Sequence, residues 1–342
     1  NNDIRILKDR EQEEIERIIA EMSMECGTYA DALCRDYDTC AEINLYFAKS
    51  NLAAKMRASE PIISDDGKIE LKRARHPLID GAKVVPVDIS LGFDYDSLIV
   101  TGPNTGGKTV LLKTVGLLTA MTMCGLMIPA ADGSRISVFD NILVDIGDMQ
   151  SIENDLSTFS SHISNTVEIC RKADDRSLIL LDELGSGTDP VEGAALAIAI
   201  INDLRSCGAK LMVTTHYQEL KMYAIETERT ENGSCEFDVS TMQPTYKLII
   251  GAPGKSNAFS ISAKLGLSEH IIENAKAIVS DDNRRFEEVV EQLENSRREY
   301  DKLNEEVRRL KEEHKRMTEE LEAEKEKFNA SKDAEFEKAR IQ

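Results

Sequence analysis

Along the first 58 residues, apolar side chains recur at three- and four-residue steps. Ile4, Leu7, Ile15, Ile18, Ile19 and Met22 are followed by Ala32, Leu33, Ile43, Leu45, Phe47 and Ala48. Such spacing lays one apolar stripe along a helix, and no proline interrupts it before Pro61. Residues 1–60 are therefore expected to be a helical segment, whose start inside a helix suggests that more protein precedes it. From Pro61 the pattern changes. Asp65-Asp66-Gly67 marks a turn, Lys68 to Lys72 alternates like a short strand, and Val84, Val85, Val87 and Ile89 follow. Ser97 to Val100 then runs into a glycine-rich loop, and Val110 to Met123 reads as a helix. Ser177–Leu181 and Lys210–Thr214 are expected to be buried strands, with a helix over 191–205 between them. That alternation predicts an α/β fold with a largely parallel sheet. Phe237–Val239 and Thr245–Ile250 predict a hairpin, and Gly251–Gly254 a loop before a further helical region.

The chain after Asp281 is charged and contains neither glycine nor proline. Phe286, Val289, Leu293, Ser296, Tyr300, Leu303, Val307 and Leu310 step alternately by three and four. His314, Met317, Leu321, Glu324 and Phe328 continue the series. The register holds over about six heptads and predicts a coiled coil, which needs a partner. His314 and Glu324 weaken their own layers.

Composition narrows the classes. Hydrophobic residues make up 41% of 342 residues, enough for a sizeable core. The net charge of −20 disfavours a protein that coats nucleic acid over its whole surface, while leaving room for a local basic patch. No apolar run reaches the roughly 20 residues needed to cross a bilayer, and no basic-then-apolar leader is seen. No membrane partner and a cytoplasmic location are therefore expected. The seven cysteines include no C-x-x-C pair, so reduced and mostly buried thiols are expected rather than a disulfide or zinc framework.

Gly102-Pro103-Asn104-Thr105-Gly106-Gly107-Lys108-Thr109 carries the strongest chemistry. It matches G-x-x-x-x-G-K-T between a strand and a helix, the setting a phosphate-binding loop requires. Backbone N–H groups at a helix N-terminus cradle phosphate oxygens. Lys108 would reach the β- and γ-phosphates of ATP, and the Thr109 hydroxyl would bind Mg²⁺. Ser177 to Leu181 followed by Asp182-Glu183 reads as a Walker B strand. Asp182 is placed to hold Mg²⁺, and Glu183 to polarise the attacking water. Lys210–Thr215 ends at His216, one strand–helix–strand step later, where it could sense the γ-phosphate. Gly251-Ala252-Pro253-Gly254-Lys255-Ser256 imitates a phosphate loop. The pattern would need glycine at Ile249, and Pro253 removes a cradling N–H, so a structural loop is expected.

Gly-Pro-Asn-Thr-Gly-Gly-Lys-Thr at 102–109, Leu-Leu-Asp-Glu-Leu-Gly-Ser-Gly-Thr at 180–188 and Thr-Thr-His at 214–216 together resemble the MutS ATPase family. Arg75-His76-Pro77 and Asp155-Leu156-Ser157-Thr158-Phe159 resemble two further segments of that family, and the similarity runs from about residue 40 to 280. Thr105 stands where repair members usually have methionine. His162 stands where they have glutamate. Both features, with Gly254–Phe259 and the long coil, look like the second bacterial MutS subfamily, which lacks the mismatch-reading domain. Its members usually continue into a basic linker and an Smr nuclease domain. These 342 residues carry neither, so no nuclease activity is expected of them.

The resemblance implies a P-loop NTPase of the ABC/MutS type with a helical N-terminal segment and a C-terminal coiled coil. The implied parts are an ATPase domain over 61–265 and a helical dimerisation segment with the coil over 266–342. It also implies head-to-head homodimers with composite sites, in which Ser157 and Thr158 of one subunit meet the nucleotide held by Lys108 of the other. Asn104, Gln150 and the 185–188 turn would lie near that interface, and Val84 and Val85 fall roughly at the adenine-contacting position. Members of this architecture bind nucleic-acid structures, with roles in restraining recombination through branched DNA or in splitting collided ribosomes through rRNA. Two rival readings are carried along. An SMC-type ATPase would place its coil between Walker A and Walker B, whereas here the coil follows both. A nucleotide-gated dimerisation scaffold with little turnover differs only in the work done by Glu183.

Overall fold

The computed structural model describes residues 2–102, 106–147, 158–238, 241, 243–254 and 258–278, with scattered helical positions between 289 and 325. The first two helices, α1 (Asn2–Thr28) and α2 (Ala30–Met56), bury Ala53 alone among the described residues. The stripe of Ile4, Leu7, Ile15, Ile18, Ile19 and Met22 lies exposed along α1. α2 ends in a left-handed residue, Arg57 (φ 50°), as helices often do. Its last carbonyls receive a guanidinium, with Arg75 Nη2 donating to Met56 O at 3.1 Å and Arg57 O at 2.7 Å. A cation there complements the helix dipole, and it ties α2 to the segment that begins at Arg75.

Two sheets follow. The smaller contains β1 (Ile62–Ser64), β2 (Ile69–Ala74), β3 (Val87–Leu91) and β5 (Arg135–Ser137) in the order β1-β5-β2-β3. Val84 and Val85 precede β3 and lie outside it. The larger contains β4 (Ser97–Thr101), β6 (Asn141–Asp145), β7 (Ser177–Leu181), β8 (Lys210–Thr214), β9 (Thr230–Asp238) and β10 (Gln243–Ile250). Its order is β10-β9-β4-β8-β7-β6, with β9, β4, β8, β7 and β6 mutually parallel and β10 antiparallel to β9. The chain is thus α/β. The expected hairpin is present, but its first strand starts at Thr230, well upstream of Phe237.

Period-two alternation in the central strands divides the core. Leu98, Val100, Leu178, Leu180 and Met212 face α3 (Lys108–Met123), which lies between the two sheets and also packs against Ile69, Leu71 and Ile136. Ile99, Ile179, Leu181, Leu211 and Val213 face the opposite way, onto α5 (Pro190–Ser206) and α6 (Gln218–Glu226). α4 (Thr158–Lys172), absent from the sequence-based expectation, packs beside β6 and contributes Ile169 to this second face. Asp189 caps α5, accepting from the N–H groups of Val191 and Glu192 with Pro190 in the first turn.

Gly251–Gly254 is a loop, as expected, and it packs behind the glycine-rich segment, with Gly254 N–H donating to Thr101 Oγ1 at 2.6 Å. Lys255 and Ser256 lie outside the described residues. The short helices α7 (Ala258–Lys264) and α8 (Glu269–Ile278) follow. Of the heptad positions, Phe286, Leu293, Glu324 and Phe328 lie outside the described residues, while Tyr300, Leu303, Val307, Leu310, Met317 and Leu321 are exposed. The cysteines correct one expectation. All seven are free, but Cys26, Cys34, Cys40 and Cys124 are exposed and only Cys235 is buried. Three of the exposed thiols lie on α1 and α2, which have almost no core to enter.

Candidate functional site

The parallel strands deliver β4, β6, β7 and β8 with their carboxyl ends at one edge, where ligands of open α/β sheets collect. Gly107 caps α3 at φ 90°, and a Cβ there would come within 2.8 Å of the Tyr246 ring. Only glycine meets both conditions. Lys108 follows at the first turn of α3. It is 2% exposed, and its Nζ donates to Gly102 O at 2.6 Å. Burial holds its pKa below the usual lysine value, with the nearby Glu183, Cys235 and Asp182 opposing that shift. A desolvated ammonium at a helix N-terminus is a prepared site for an anion.

Beside it, Thr109 Oγ1 donates to Asp182 Oδ2 at 2.7 Å. Asp182 directly follows β7 and is mostly buried. Its other oxygen, Oδ1, accepts a short hydrogen bond from the fully buried Thr214 hydroxyl, and that hydroxyl accepts from Glu183 N–H at 2.9 Å. Leu184 N–H reaches Thr214 O at 3.3 Å. Thr214, at the end of β8, therefore supports three successive residues of the acidic turn. Glu183 adopts a left-handed φ of 51°, uncommon outside glycine, which separates its direction from that of Asp182.

The hydroxyl of Thr109 and the carboxylate of Asp182 are hard oxygen donors of the kind Mg²⁺ takes. That ion commonly uses one or two protein oxygens and completes its shell with phosphate and water. No group of three or more His, Cys, Asp or Glu side chains suited to a metal occurs among the described residues. His216, beyond β8, is exposed, with its ring centroid 4.5 Å from that of Tyr217.

A cavity of about 230 Å³ opens beside Gly107, lined by His76, Val84, Val85, Val110, Tyr246 and Leu248 among others. Its walls are largely apolar. No sequence pattern marks Tyr246. It stands at φ 58° where the β9–β10 register shifts between Pro244 and Leu248, and a bulge of this kind re-aims a side chain. Cys235, on the same cavity, has its thiol pushed up to about 12 by burial, with Lys108 opposing. A second cavity of about 860 Å³ lies between α2 and α3, lined by Leu52, Met56, Leu117 and Met121. His76, Ile79 and Val84 face both cavities.

Pro103, Asn104, Thr105, Gln150 and Ser157 lie outside the described residues, as does the side chain of Thr158. The helix that begins at Thr158 is held from below. Asp145, 5% exposed at the end of β6, meets His162 Nδ1 through Oδ2 at 2.9 Å and accepts from Asn165 Nδ2 through Oδ1 at 2.9 Å. No sequence motif announced Asp145. The described residues contain no helix long and apolar enough to cross a membrane.

Comparison with known proteins gives concordant findings. The family model for MutS domain V matches residues 98–281. The chain is 56% identical over 298 residues to a protein of Agathobacter rectalis called endonuclease MutS2, covering 87% of this chain and 38% of the relative. A protein of the same name from Caldanaerobacter subterraneus is 54% identical over 297 residues, again covering 87% of the chain and 38% of the relative. A third, from Halalkalibacterium halodurans, is 52% identical over 297 residues with the same shares. The chain thus spans 38% of the length of these relatives.

Proposed function

Because the chain belongs to the MutS family, in its second bacterial subfamily, we propose that it is the ATP-hydrolysing part of a dimeric protein that couples nucleotide state to the binding of a nucleic-acid structure. The observation that carries this reading is the convergence of Lys108, Thr109, Asp182 and Glu183 at one edge, with Thr109 Oγ1 bonded to Asp182 Oδ2 at 2.7 Å.

In this reading the Gly102–Thr109 loop, including Pro103, Asn104, Thr105 and Gly106, wraps the phosphates of ATP with backbone N–H groups. Lys108, itself almost fully buried, offsets their charge where electrostatic interactions are strong. Thr109 and Asp182 would hold Mg²⁺, which when bound would supply positive charge to offset that of the phosphates. Glu183 accepts a proton from the attacking water as the new P–O bond forms and the bond to ADP breaks. Thr214 fixes the Asp182 carboxylate and the Glu183 backbone by bonding Asp182 Oδ1 and the Glu183 N–H. His216 would contact the γ-phosphate or its water. Val85 and Tyr246 would enclose the adenine. Ser157 and Thr158 would act on the nucleotide of the partner subunit, so that ATP clamps two copies together and hydrolysis releases them.

The relatives are named endonucleases; the chemistry assembled in this chain's site is phosphoryl transfer from a nucleotide. The acidic balance of the chain favours neither branched DNA nor the ribosome as target, and both stand as candidates. Two experiments decide the reading. Steady-state ATP hydrolysis by Glu183→Gln should fall on the order of 100-fold or more below wild type, the usual scale for losing a positioned base. Equal, slow rates for both would remove the catalytic assignment in favour of a nucleotide-gated scaffold. The full-length protein trapped by Glu183→Gln with ATP should retain either ribosomes or branched DNA, and retention of neither would reject the nucleic-acid coupling.

A further inference from the structure

Asp145 makes two kinds of connection at once. Its backbone carbonyl accepts from Asp182 N–H at 2.8 Å, extending the β6–β7 ladder by one residue into the acidic turn. Its side chain leaves β6 on the other side and holds α4. Oδ2 meets His162 Nδ1 at 2.9 Å, and Oδ1 accepts from Asn165 Nδ2 at 2.9 Å, while the same Nδ2 also reaches Val144 O at 3.1 Å. His162 and Asn165 are three apart and share one face of α4. They lie one and two turns beyond Thr158, where the helix starts. A carboxylate this buried requires such partners, and both come from the signature helix. A second contact joins the same parts, since a Cβ placed on Gly187 would lie 3.3 Å from Phe159 Cβ. The first turn of α4 therefore touches the turn that follows Glu183, while its second turn is bonded to Asp145.

We propose that Asp145, through His162 and Asn165, is a positioning residue. It sets α4, which we call the signature helix because it opens on the Ser-Thr-Phe segment, in fixed relation to the Walker B turn of its own subunit, and so determines how the N-terminal end of that helix is offered to the nucleotide of the other subunit. The inference rests on the composite-site reading above. The printed bonds of the Asp145 side chain all run to α4, and its backbone carbonyl accepts from Asp182 N–H. Its side chain serves the site next door, and only its backbone serves its own.

Mixed dimers separate the two sites in the full chain. Asp145→Asn keeps the shape but puts an amide where His162 and Asn165 found a carboxylate. In the homodimer, kcat should fall on the order of 10- to 100-fold, the scale of a misplacement near 1 Å, with affinity for a fluorescent ATP analogue unchanged. Mixed with Lys108→Ala, which binds no ATP but offers an intact signature helix, the Asp145→Asn subunit should regain one working site, about half the wild-type rate per dimer. Ser157→Ala mixed with Lys108→Ala is the parallel arm. If Ser157→Ala is rescued and Asp145→Asn is not, Asp145 acts within its own site and the inference fails while the composite site stands. If neither is rescued, the composite site fails and the inference with it. His162→Gln, which keeps a donor toward Asp145, should retain several-fold more activity than His162→Ala at equal thermal stability. Equal activity of the two would overturn the proposal even where Asp145→Asn folds poorly.

Discussion

Thr214→Val tests whether the acidic turn depends on the strand beneath it. Thr214 is fully buried, and valine reproduces its shape, so the change deletes a hydroxyl without opening a void. Two hydrogen bonds are lost, one donated to Asp182 Oδ1 and one accepted from Glu183 N–H at 2.9 Å. A bond to a carboxylate contributes about 1.5–3 kcal/mol and an amide bond about 1 kcal/mol, roughly 2.5–4 kcal/mol together. Glu183 is also held at φ 51°, a conformation that costs a residue with a side chain about 1–2 kcal/mol. Released from Thr214, the turn can relax toward an ordinary dihedral and carry its carboxylate away from the site. The expected result is a drop of about 2–4 kcal/mol in urea unfolding free energy and a 10- to 100-fold drop in kcat, tenfold for each ~1.4 kcal/mol of the loss felt at the transition state. The measurements are urea titration followed by circular dichroism and steady-state ATP hydrolysis at saturating Mg-ATP. Wild-type kcat in a destabilised variant would refute the claim that Thr214 aims Glu183, and unchanged stability would refute the hydrogen-bond account itself.

Three further outcomes follow from the same geometry. Gly107→Ala should weaken ATP binding at least about tenfold, because a methyl group would meet the Tyr246 ring at 2.8 Å while φ stays at 90°; adding Tyr246→Ala should relieve the clash but not the dihedral strain, as nucleotide titration would reveal. Lys108→Met should abolish turnover yet raise the melting temperature of the nucleotide-free protein, since burial disfavours the lysine's charge; ATP should then no longer raise that temperature. Cys235 binds its proton more tightly folded than unfolded, with a folded pKa of about 12 against 9.0 for an unperturbed thiol. Its contribution to stability is complete below about 9 and fades as pH rises toward 12, so Cys235→Ala should flatten the alkaline part of the stability profile. Iodoacetamide at pH 8 should correspondingly label Cys26, Cys34, Cys40 and Cys124 well before Cys235.

The parts of the site that the sequence discloses are those written consecutively. The glycine loop, Asp182-Glu183 and Thr215-His216 each need only a strand and its next few residues, so local pattern finds them. Thr214, Asp145 and Tyr246 acquire their meaning from neighbours brought by the sheet order. Thr214 sits under Asp182 only because β8 lies next to β7, and Asp145 touches it only because β6 is the next strand out. β6 is five residues long and α4 opens with Thr158, Phe159, Ser160, Ser161 and His162, a polar start that hides its helical period. The cysteines misled for a different reason. Burial preferences describe residues with a core to enter, and α1 and α2 offer Cys26, Cys34 and Cys40 none.

The segment from Arg75 to Val84 is a common wall. Arg75 grips the end of α2, while His76, Ile79 and Val84 face both the small cavity beside Gly107 and the large one beneath α2. Any tilt of α2 that displaces this wall reshapes the pocket beside the phosphate loop. The two events then share one free energy, and a tilt that strengthens nucleotide binding by some factor must itself be favoured by nucleotide by that same factor. On such a tilt α2, which ends at Met56, would report on the pocket beside the phosphate loop across the width of one short segment.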